Sequence, residues 1–456
     1  MRILLMTSSA RGHAIADALK HSPQHPDIVS IATTANPGIK ELAEEQFIER
    51  SLTNLDRLLL IAKRTKPNLA IIGPEDPIAA GIADLLEENG IPTVAPKKML
   101  ARLESSKGFA RDLLQKYDID CSPKFKVFTK ENSKILNNFI EQELWGEYVV
   151  KYDALKGGKG VKVSGEHLAT TREGITYALR CIEECGQVVV EEKLTGCEFS
   201  LMSFVDGSHV IHCPLVQDHK RAYDKDTGPN TGGMGTYSDA NHSLPFLKIA
   251  DVERAKEIQR LTVEALQHEF NPHPNPLPLK GEGICYKGIL YGGYMATRDG
   301  IKLIEFNCRF GDPEALNILS ILDSDFVAIC QGILSGELTE EMVRFAKKAT
   351  VCKYIVPESY PDKKEQLGKE VRFPNIKRES RMYYGDISQD PDGTLRLGTS
   401  RTVGIVGIGK TISEAESIAQ KLCEQVQGPV RFRSDIGTHA LIQKRIDLMR
   451  RLRSAL

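Results

Sequence analysis

The 456-residue chain has no surplus of either charge: 60 Lys and Arg stand against 61 Asp and Glu, a formal net charge of -1. That balance argues against a nucleic-acid binder working by bulk attraction and leaves room only for a local basic patch. None of the ten cysteines forms a CxxC pair, the closest two being Cys181 and Cys185. Thiols scattered in this way read as reduced side chains, not as disulfides or a zinc site. Long apolar runs are missing as well. The opening Met1-Arg2-Ile3-Leu4-Leu5-Met6 is too short for a signal peptide, and no later run approaches a membrane span. A cytoplasmic protein without membrane or nucleic-acid partners is expected. The composition, 41% hydrophobic and 27% charged, is that of an ordinary soluble protein. The length implies about three domains.

The most informative stretch runs from Lys302 to Glu314 (KLIEFNCRFGDPE). Leu303 and Ile304 lead a strand out of a turn at Gly300. Alternate strand side chains share a face, so Glu305, Asn307 and Arg309 are expected to point the same way. A carboxylate and an amide oxygen suit a hard cation, and a guanidinium can neutralise a transferred phosphoryl group. A half-exposed strand with chance polar residues would look similar. Gly311-Asp312-Pro313-Glu314 shifts the balance, adding two carboxylates in a turn-forming context.

The first hundred residues alternate strand and helix. Strands are expected at Ile3–Met6, Ile28–Ala32, Leu69–Ile72 and Pro92–Ala95, and helices at His13–Lys20, Leu55–Arg64 and Ile78–Glu88. This rhythm implies a parallel sheet with ligands at its carboxyl edge. The loops there carry Thr7-Ser8-Ser9-Ala10-Arg11-Gly12-His13, Asn36-Pro37-Gly38 and Gly73-Pro74-Glu75-Asp76. The first suits a phosphate ahead of a helix, although any tight turn wants small residues.

Lys107 heads a connecting helix to Lys116, followed by a smaller α+β stretch to about Val190. Within it, the strand Tyr148–Lys151 precedes the turn Lys156-Gly157-Gly158-Lys159-Gly160 and a second strand. The pattern is not a Walker loop, because no Ser or Thr follows Lys159. It reads either as a flap over a triphosphate or as a mobile hairpin with solvated lysines. Gln187 to Leu194 is a strand ending in acids, and another strand runs to Val205. Their edge could hold an adenine through backbone groups, with Glu198 on a ribose, although exposed edge acids also account for Glu191 and Glu192. Asp218 to Tyr237 reads as an ordered binding loop without regular structure. A helix over Val252–Phe270, a proline-rich excursion from Asn271 to Gly283, a strand over Ile289–Thr297 and a helix over Asp325–Leu334 follow. From about Ala349 the tail is β-rich, with strands at Thr350–Ile355, Thr394–Leu397 and Thr402–Gly407. A helix over Ser413–Val426 opens with a Ser413–Glu416 capping box, and Leu448–Arg453 reads as a solvated basic helix end.

Several blocks together resemble the phosphoribosylamine–glycine ligase (glycinamide ribonucleotide synthetase) family of ATP-grasp enzymes in purine biosynthesis. They are Gly73-Pro74-Glu75, Ser105-Ser106-Lys107-Gly108-Phe109-Ala110, Val150-Lys151, Gly158-Lys159-Gly160-Val161, Asp218-His219-Lys220-Arg221, Thr227 to Gly235, Ile304 to Glu314 and Ser434-Asp435-Ile436-Gly437. The resemblance covers essentially the whole chain. The Asp218 and Ile304 blocks are specific to this family, whereas the glycine-rich flap marks ATP-grasp enzymes generally.

The resemblance implies a multidomain α/β and α+β fold. Its parts are an N-terminal parallel-sheet βαβ domain (1–101), a central ATP-grasp core (102–119 and 191–335), a smaller flap domain (120–190) and a C-terminal β-rich domain (336–456). It implies that Lys107, Lys151, Gly158, Lys159, Gly160, Glu191, Leu194 and Glu198 bind ATP, and that Glu305 and Asn307 ligate Mg²⁺ or Mn²⁺. Arg309, Lys220, Asp218 and Asp312 would be catalytic, and Arg11, His13, Glu75, Arg221, Gly232 and Gly233 would hold substrate. In such enzymes ATP phosphorylates the carboxylate of glycine, and the amine of 5-phosphoribosylamine attacks the glycyl phosphate. The expected partners are these small molecules, and the expected state is a monomer or dimer. Two loops depart from the family. Ser9-Ala10-Arg11-Gly12-His13 stands where Gly-Gly-Arg-Glu-His is usual, and Asn36-Pro37-Gly38 lacks the usual Pro-Gly-Asn order. The alternatives are an ATP-grasp ligase with a drifted amine substrate and a non-catalytic nucleotide-binding remnant. Retention of Glu305, Asn307, Arg309 and the Lys220-Arg221 pair speaks against the remnant.

Overall fold

A computed structural model describes every residue except Ser8, Gly158, 272–282, Lys377 and 455–456. Runs of apolar residues buried on both faces build the first sheet, because helices cover both of its sides. It is wholly parallel, in the order Glu45–Ile48, Asp27–Ala32, Arg2–Met6, Leu69–Ile72, Thr93–Val94. The edge strand Glu45–Ile48 was not foreseen, since its half-exposed, polar start lacks the apolar run of its neighbours. Strand order reverses beside Arg2–Met6, which opens a crevice at the carboxyl edge there.

Two expectations for this region need correction. The helix expected from His13 begins at Ala10, so Arg11, Gly12 and His13 are helical, not part of a phosphate loop. Gly12 permits this early start, because an added Cβ would collide with the Thr7 side chain. The helix expected over Ile78–Glu88 is two helices, Glu75–Ala80 and Ile82–Glu88, divided by Gly81 at φ +103°.

The chain then forms two antiparallel sheets. The central one runs Val210–His212, Gly196–Asp206, Lys287–Thr297, Gly300–Asn307. The flap sheet runs Phe125–Thr129, Gln187–Glu192, Tyr148–Tyr152, Val161–Val163. Phe128, Phe139, Tyr148, Val150 and Val190 form a flap core of their own, while one larger core joins the first sheet, the central sheet and the C-terminal part. Separate packing is what allows such a flap to move as a unit.

The C-terminal sheet overturns the picture of Asp218–Tyr237 as irregular. Gln217–Asp218 and Gly235–Ser238 form one side of it, followed by Ala349–Pro357, Val403–Gly409 and Ser380–Tyr384. Between them Arg221–Tyr223 and Thr227–Asn230 pair as a small hairpin. Gly235–Ser238 takes its register from Ala349–Pro357, far along the chain, which a local pattern does not reveal. The helix Ile412–Cys423 is capped by Thr411, whose side chain accepts from the Glu414 amide, while Glu414 accepts from the Lys410 amide. The cap therefore sits two residues before the Ser413 expected. The last helix, His439–Ser454, does not end as a solvated stub, since Arg453 forks onto Asp251 with two 2.8 Å bonds. The proline-rich excursion lies almost entirely outside the described residues. All ten cysteines are free thiols. Among the described residues no helix is long and apolar enough to cross a membrane.

Candidate active site

The site begins with a bulge. Leu303 pairs with Tyr294 and Glu305 with the next residue, Gly293, so Ile304 is the extra residue between them. Its carbonyl, free of the ladder, accepts from Lys151 Nζ at 2.8 Å and from Arg111 Nη2 at 3.0 Å. Both cations also hold Glu191, each at 2.6 Å. Glu191 is therefore a buried ion-pair partner and not an exposed edge acid. Burial alone would raise its carboxyl, but Arg111 and Lys151 hold it below the usual range.

Glu305 projects into a small pocket shared with Glu198, Asp218, Lys220 and Tyr291. Its burial opposes ionisation, yet Lys220, Lys107 and Lys151 together keep its carboxyl below the usual range. Lys220 lies 3.4 Å from Glu198, which raises its ammonium above the ordinary lysine value. Asp218 goes the other way: burial and the facing Glu314 push its carboxyl well above normal. Tyr291 completes the floor, its hydroxyl donating to Glu314 at 2.9 Å. Lys107 opens its helix, whose N-terminus is capped by Ser106 and by Asp153 reaching across from the flap.

Arg309 was expected on the same strand face, but the strand closes at Asn307 and Arg309 lies in the bend beyond it, where it is not an unpaired cation. It bonds Glu75 at 3.3 Å and Asn307 Oδ1 at 3.2 Å, and pairs with Glu104 at 3.2 Å. Arg11 turns into this joint, donating to the Phe310 carbonyl at 2.7 Å with Glu75 at 3.8 Å. Although burial would raise it, the Glu75 carboxyl is brought to about 2 by the two arginines. His13 is likewise turned inward. Its Nδ1 accepts from the Tyr384 amide at 2.9 Å, its ring stacks on Tyr384, and burial lowers its pKa to about 4. Asn36 caps the helix Pro37–Leu42, and Gly38 leaves just enough room for the His13 ring.

A second, wider cleft of about 200 Å³ lies between the first sheet and the C-terminal sheet. Ser9, Ala10, Thr34, Asp312, Tyr354 and Arg401 line it. Arg401 stacks over the Tyr354 ring and donates to the carbonyls of Gly232, Gly233 and Asp312. Asp312 accepts from the Tyr354 hydroxyl at 2.5 Å. Against the effect of burial, Arg401 and Arg11 keep its carboxyl ionised. Gly233 must be glycine: its φ is +108° and an added Cβ would fall 2.6 Å from Asp218 Oδ1. Arg221 donates to the Gly228 carbonyl at 3.0 Å and pairs with Glu166 of the flap. On the flap turn, Lys159 is exposed and Gly160 is buried, its carbonyl taking the Tyr177 hydroxyl at 3.1 Å. Leu194 lies half-buried beyond the flap strand, and Gly158 is outside the described residues.

Comparison with known proteins matches this arrangement along the chain. Residues 1–104, 105–315 and 350–439 match the N domain, the ATP-grasp (A) domain and the C domain of phosphoribosylglycinamide synthetase. The phosphoribosylamine–glycine ligase of Methanosarcina barkeri is 44% identical over 99% of this chain and 100% of its own length. That of Methanocorpusculum labreanum is 45% identical over 100% of both. The chain belongs to the phosphoribosylamine–glycine ligase family. Among solved structures, the Thermotoga maritima phosphoribosylamine–glycine ligase superposes with a TM-score of 0.77 at 26% identity, covering 95% of this chain and 100% of that one. The biotin carboxylase domain of Hydrogenobacter thermophilus 2-oxoglutarate carboxylase shares the fold alone, with a TM-score of 0.71 at 15% identity over 98% of this chain and 93% of that one.

Within this ATP-grasp family ATP and a divalent metal are used, and the donor set here fits that use. Glu305 is ionised, and Asn307 Oδ1 has one lone pair on Arg309 and a second to offer. Among the described residues no cluster of three or more acidic, His or Cys side chains could hold an ion. Two protein oxygens completed by nucleotide phosphates form the usual environment of such a metal. Arg401, Tyr354, Glu104 and Arg111 were not found from the sequence. None belongs to a short chemical motif, and each acquires its place through contacts between distant elements.

Proposed function

We propose that the chain joins glycine to 5-phosphoribosylamine with ATP through a glycyl phosphate, giving glycinamide ribonucleotide, ADP and phosphate. The observation that carries the reading is the set of three lysines from different elements acting on one half-buried carboxylate, Glu305, where flap and central sheet meet. Lys107, Lys151 and Lys220 would together meet the charge of a polyphosphate and of the phosphoryl group in flight. Glu191, Leu194 and Glu198 lie at the flap–core joint, where adenine and ribose would sit, and Lys159 and Gly160 form the turn that would close over them. Bound at Glu305 and Asn307 beside ATP, Mg²⁺ or Mn²⁺ would draw charge off the transferred phosphoryl group.

A glycine carboxylate resists amines until its oxygen becomes a phosphate leaving group. In the first half-reaction a glycine carboxylate oxygen attacks the γ-phosphorus and ADP leaves. In the second, the amine attacks the acyl carbon and inorganic phosphate leaves. Asp218, its pKa raised by burial and Glu314, is suited to receive the proton the amine sheds. The cleft lined by Ser9, Thr34, Asp312 and Arg401 would take the phosphoribosyl group, with the N-terminus of the helix Ala10–Lys20 and Arg401 facing its phosphate. Arg11 and His13 would then support the cleft wall, Gly232 and Gly233 would let the loop approach the substrate, and Arg309 would fix Asn307 and Glu75. The sheets support the four-domain division, with Gln217–Asp218 and Gly235–Ser238 lent by the central domain to the C-terminal sheet. We read the protein as cytoplasmic and as a monomer or dimer. Product identification by mass, after incubation with ATP, glycine and freshly generated phosphoribosylamine, tests the reading. A product mass other than that of glycinamide ribonucleotide would point to a drifted amine substrate.

A further inference from the structure

We propose that Arg431-Phe432-Arg433-Ser434-Asp435 is a positioning clamp that fixes the loop carrying Lys220 and Arg221, an inference that rests on the ligase reading for the roles of those two residues. The segment faces the turn Arg221 to Asp226 and bonds nearly every residue of it. Arg431 donates to the Ala222 carbonyl at 2.7 Å and lies over the Tyr223 ring. Arg433 donates to the Arg221 carbonyl at 3.0 Å and to Asp226 Oδ1 at 3.1 Å. Ser434 reaches Asp224 through its amide at 3.1 Å and its hydroxyl at 2.8 Å, and Asp435 accepts from the Lys225 amide at 2.8 Å. Arg445, on the last helix, closes the far side of Asp226 at 2.5 Å.

Two features separate this from ordinary packing. First, Lys225 and Asp226 both have positive φ, at 61° and 58°. Residues with side chains hold that conformation only where their surroundings over-determine it. Second, the clamp is rigidly backed although the loop is exposed. Arg433 is fully buried, and the buried Lys353 ammonium holds the Ser434 carbonyl at 2.8 Å together with Glu416 and Gln420. Lys353 sits in register with Gly235, the residue that returns the loop to the sheet. His219, buried beside Lys220, has an Nε2 without a partner, and burial with the charges of Arg433 and Arg445 lowers its pKa to about 3. The clamp's guanidinium groups thus act directly beneath the residues that face substrate. They touch none of it themselves, so their effect passes through loop geometry, where small displacements cost large factors in rate.

The test uses the full-length protein with Arg433→Gln, Arg433→Lys and Asp224→Ala. Substrate kinetics are read for each, together with amide hydrogen exchange over residues 221–230. Arg433→Gln should lower kcat/KM for phosphoribosylamine at least tenfold, raise the KM for ATP by a smaller factor because Lys107 and Lys151 still meet the polyphosphate when Lys220 is displaced, and speed exchange across the loop. Arg433→Lys should recover part of the loss. Asp224 is exposed, so Asp224→Ala should fold normally and move both readouts several-fold in the same direction; it decides alone if Arg433→Gln fails to fold. Unchanged exchange and kinetics in Asp224→Ala would overturn the clamp, as would losses spread evenly over ATP, glycine and amine. If the unmutated protein makes no product, the ligase reading is what fails, and hydrogen exchange alone then decides the clamp.

Discussion

Lys151 Nζ lies 2.6 Å from Glu191 Oε2, in a joint between flap and core that is nearly closed to solvent. The lysine expected to touch ATP phosphates is therefore already neutralised by a carboxylate of its own sheet. Arg111 shares that carboxylate, so the pair is really a triad tying the flap to the bulge at Ile304. Nucleotide phosphates have to draw Lys151 away from Glu191 or share it.

The triad separates a stability role from a binding role. Glu191→Gln leaves Arg111 and Lys151 buried without their counter-charge, and breaking such a pair costs about 3–5 kcal/mol. A clear drop in the urea midpoint is expected. Lys151→Met keeps Arg111 on Glu191, so it should lose less stability but raise the KM for ATP at least tenfold. An unchanged KM for ATP in Lys151→Met would remove Lys151 from the nucleotide site.

Glu305→Gln should abolish most turnover in a protein that remains folded. The substitution is nearly isosteric and removes one charge where metal and transferred phosphoryl group would meet, worth several kcal/mol to the transition state. Steady-state rates at saturating Mg²⁺, alongside circular dichroism, check this. Near-normal activity there is incompatible with a metal ligand at this position.

Acid sensitivity should begin earlier than carboxylates alone would dictate. Burial lowers His13 to about 4, His212 to about 4 and His219 to about 3, against 6.5 when unfolded. Between pH 6.5 and these values the unfolded chain binds protons that the folded chain refuses. Stability is then full above pH 6.5 and falls as the pH drops, by up to about 1.4 kcal/mol per pH unit for each histidine. Glu75, held at about 2, adds its own loss only below pH 4.5. Urea midpoints between pH 7 and 4.5 should slope downward, and His219→Gln should flatten that slope. A flat profile in the unmutated protein would contradict the burial of these neutral rings.

The elements readable from sequence were those whose partners are close or whose pattern is self-contained. The parallel strands of the first sheet announce themselves as apolar runs, and Glu305 and Asn307 share a strand face by simple alternation. The sheet strands Gln217–Asp218 and Gly235–Ser238 were hidden because they gain strand geometry from each other and from Ala349–Pro357, and the hairpin between them is too short and glycine-rich to show a period. Arg11 and His13 look like loop residues because small neighbours precede them; the structure buries Arg11 and half-buries His13 because the helix starts at Ala10. Arg401 carries no motif at all, and only the folded chain places it over Tyr354 beside Asp312.

The two clefts should be separable by chemistry. Hydroxylamine can trap an acyl phosphate without any phosphoribosyl anchor, so glycine, Mg-ATP and hydroxylamine should yield glycyl hydroxamate from the Glu305 pocket alone. Thr34 lines the wider cleft yet is exposed, so Thr34→Glu should leave the fold intact while placing an anion where the ribose phosphate is expected. Two like charges about 6 Å apart in a half-solvated cleft repel by about 1.4 kcal/mol, a factor of roughly ten. The KM for phosphoribosylamine should therefore rise about tenfold in Thr34→Glu and rise less in the neutral Thr34→Gln. The hydroxamate rate should stay within twofold of the unmutated enzyme in both. An equal loss of the two activities in Thr34→Glu would mean that the wider cleft is not a separate amine site. Hydroxamate formed with another small amino acid but not with glycine would overturn the glycine assignment itself.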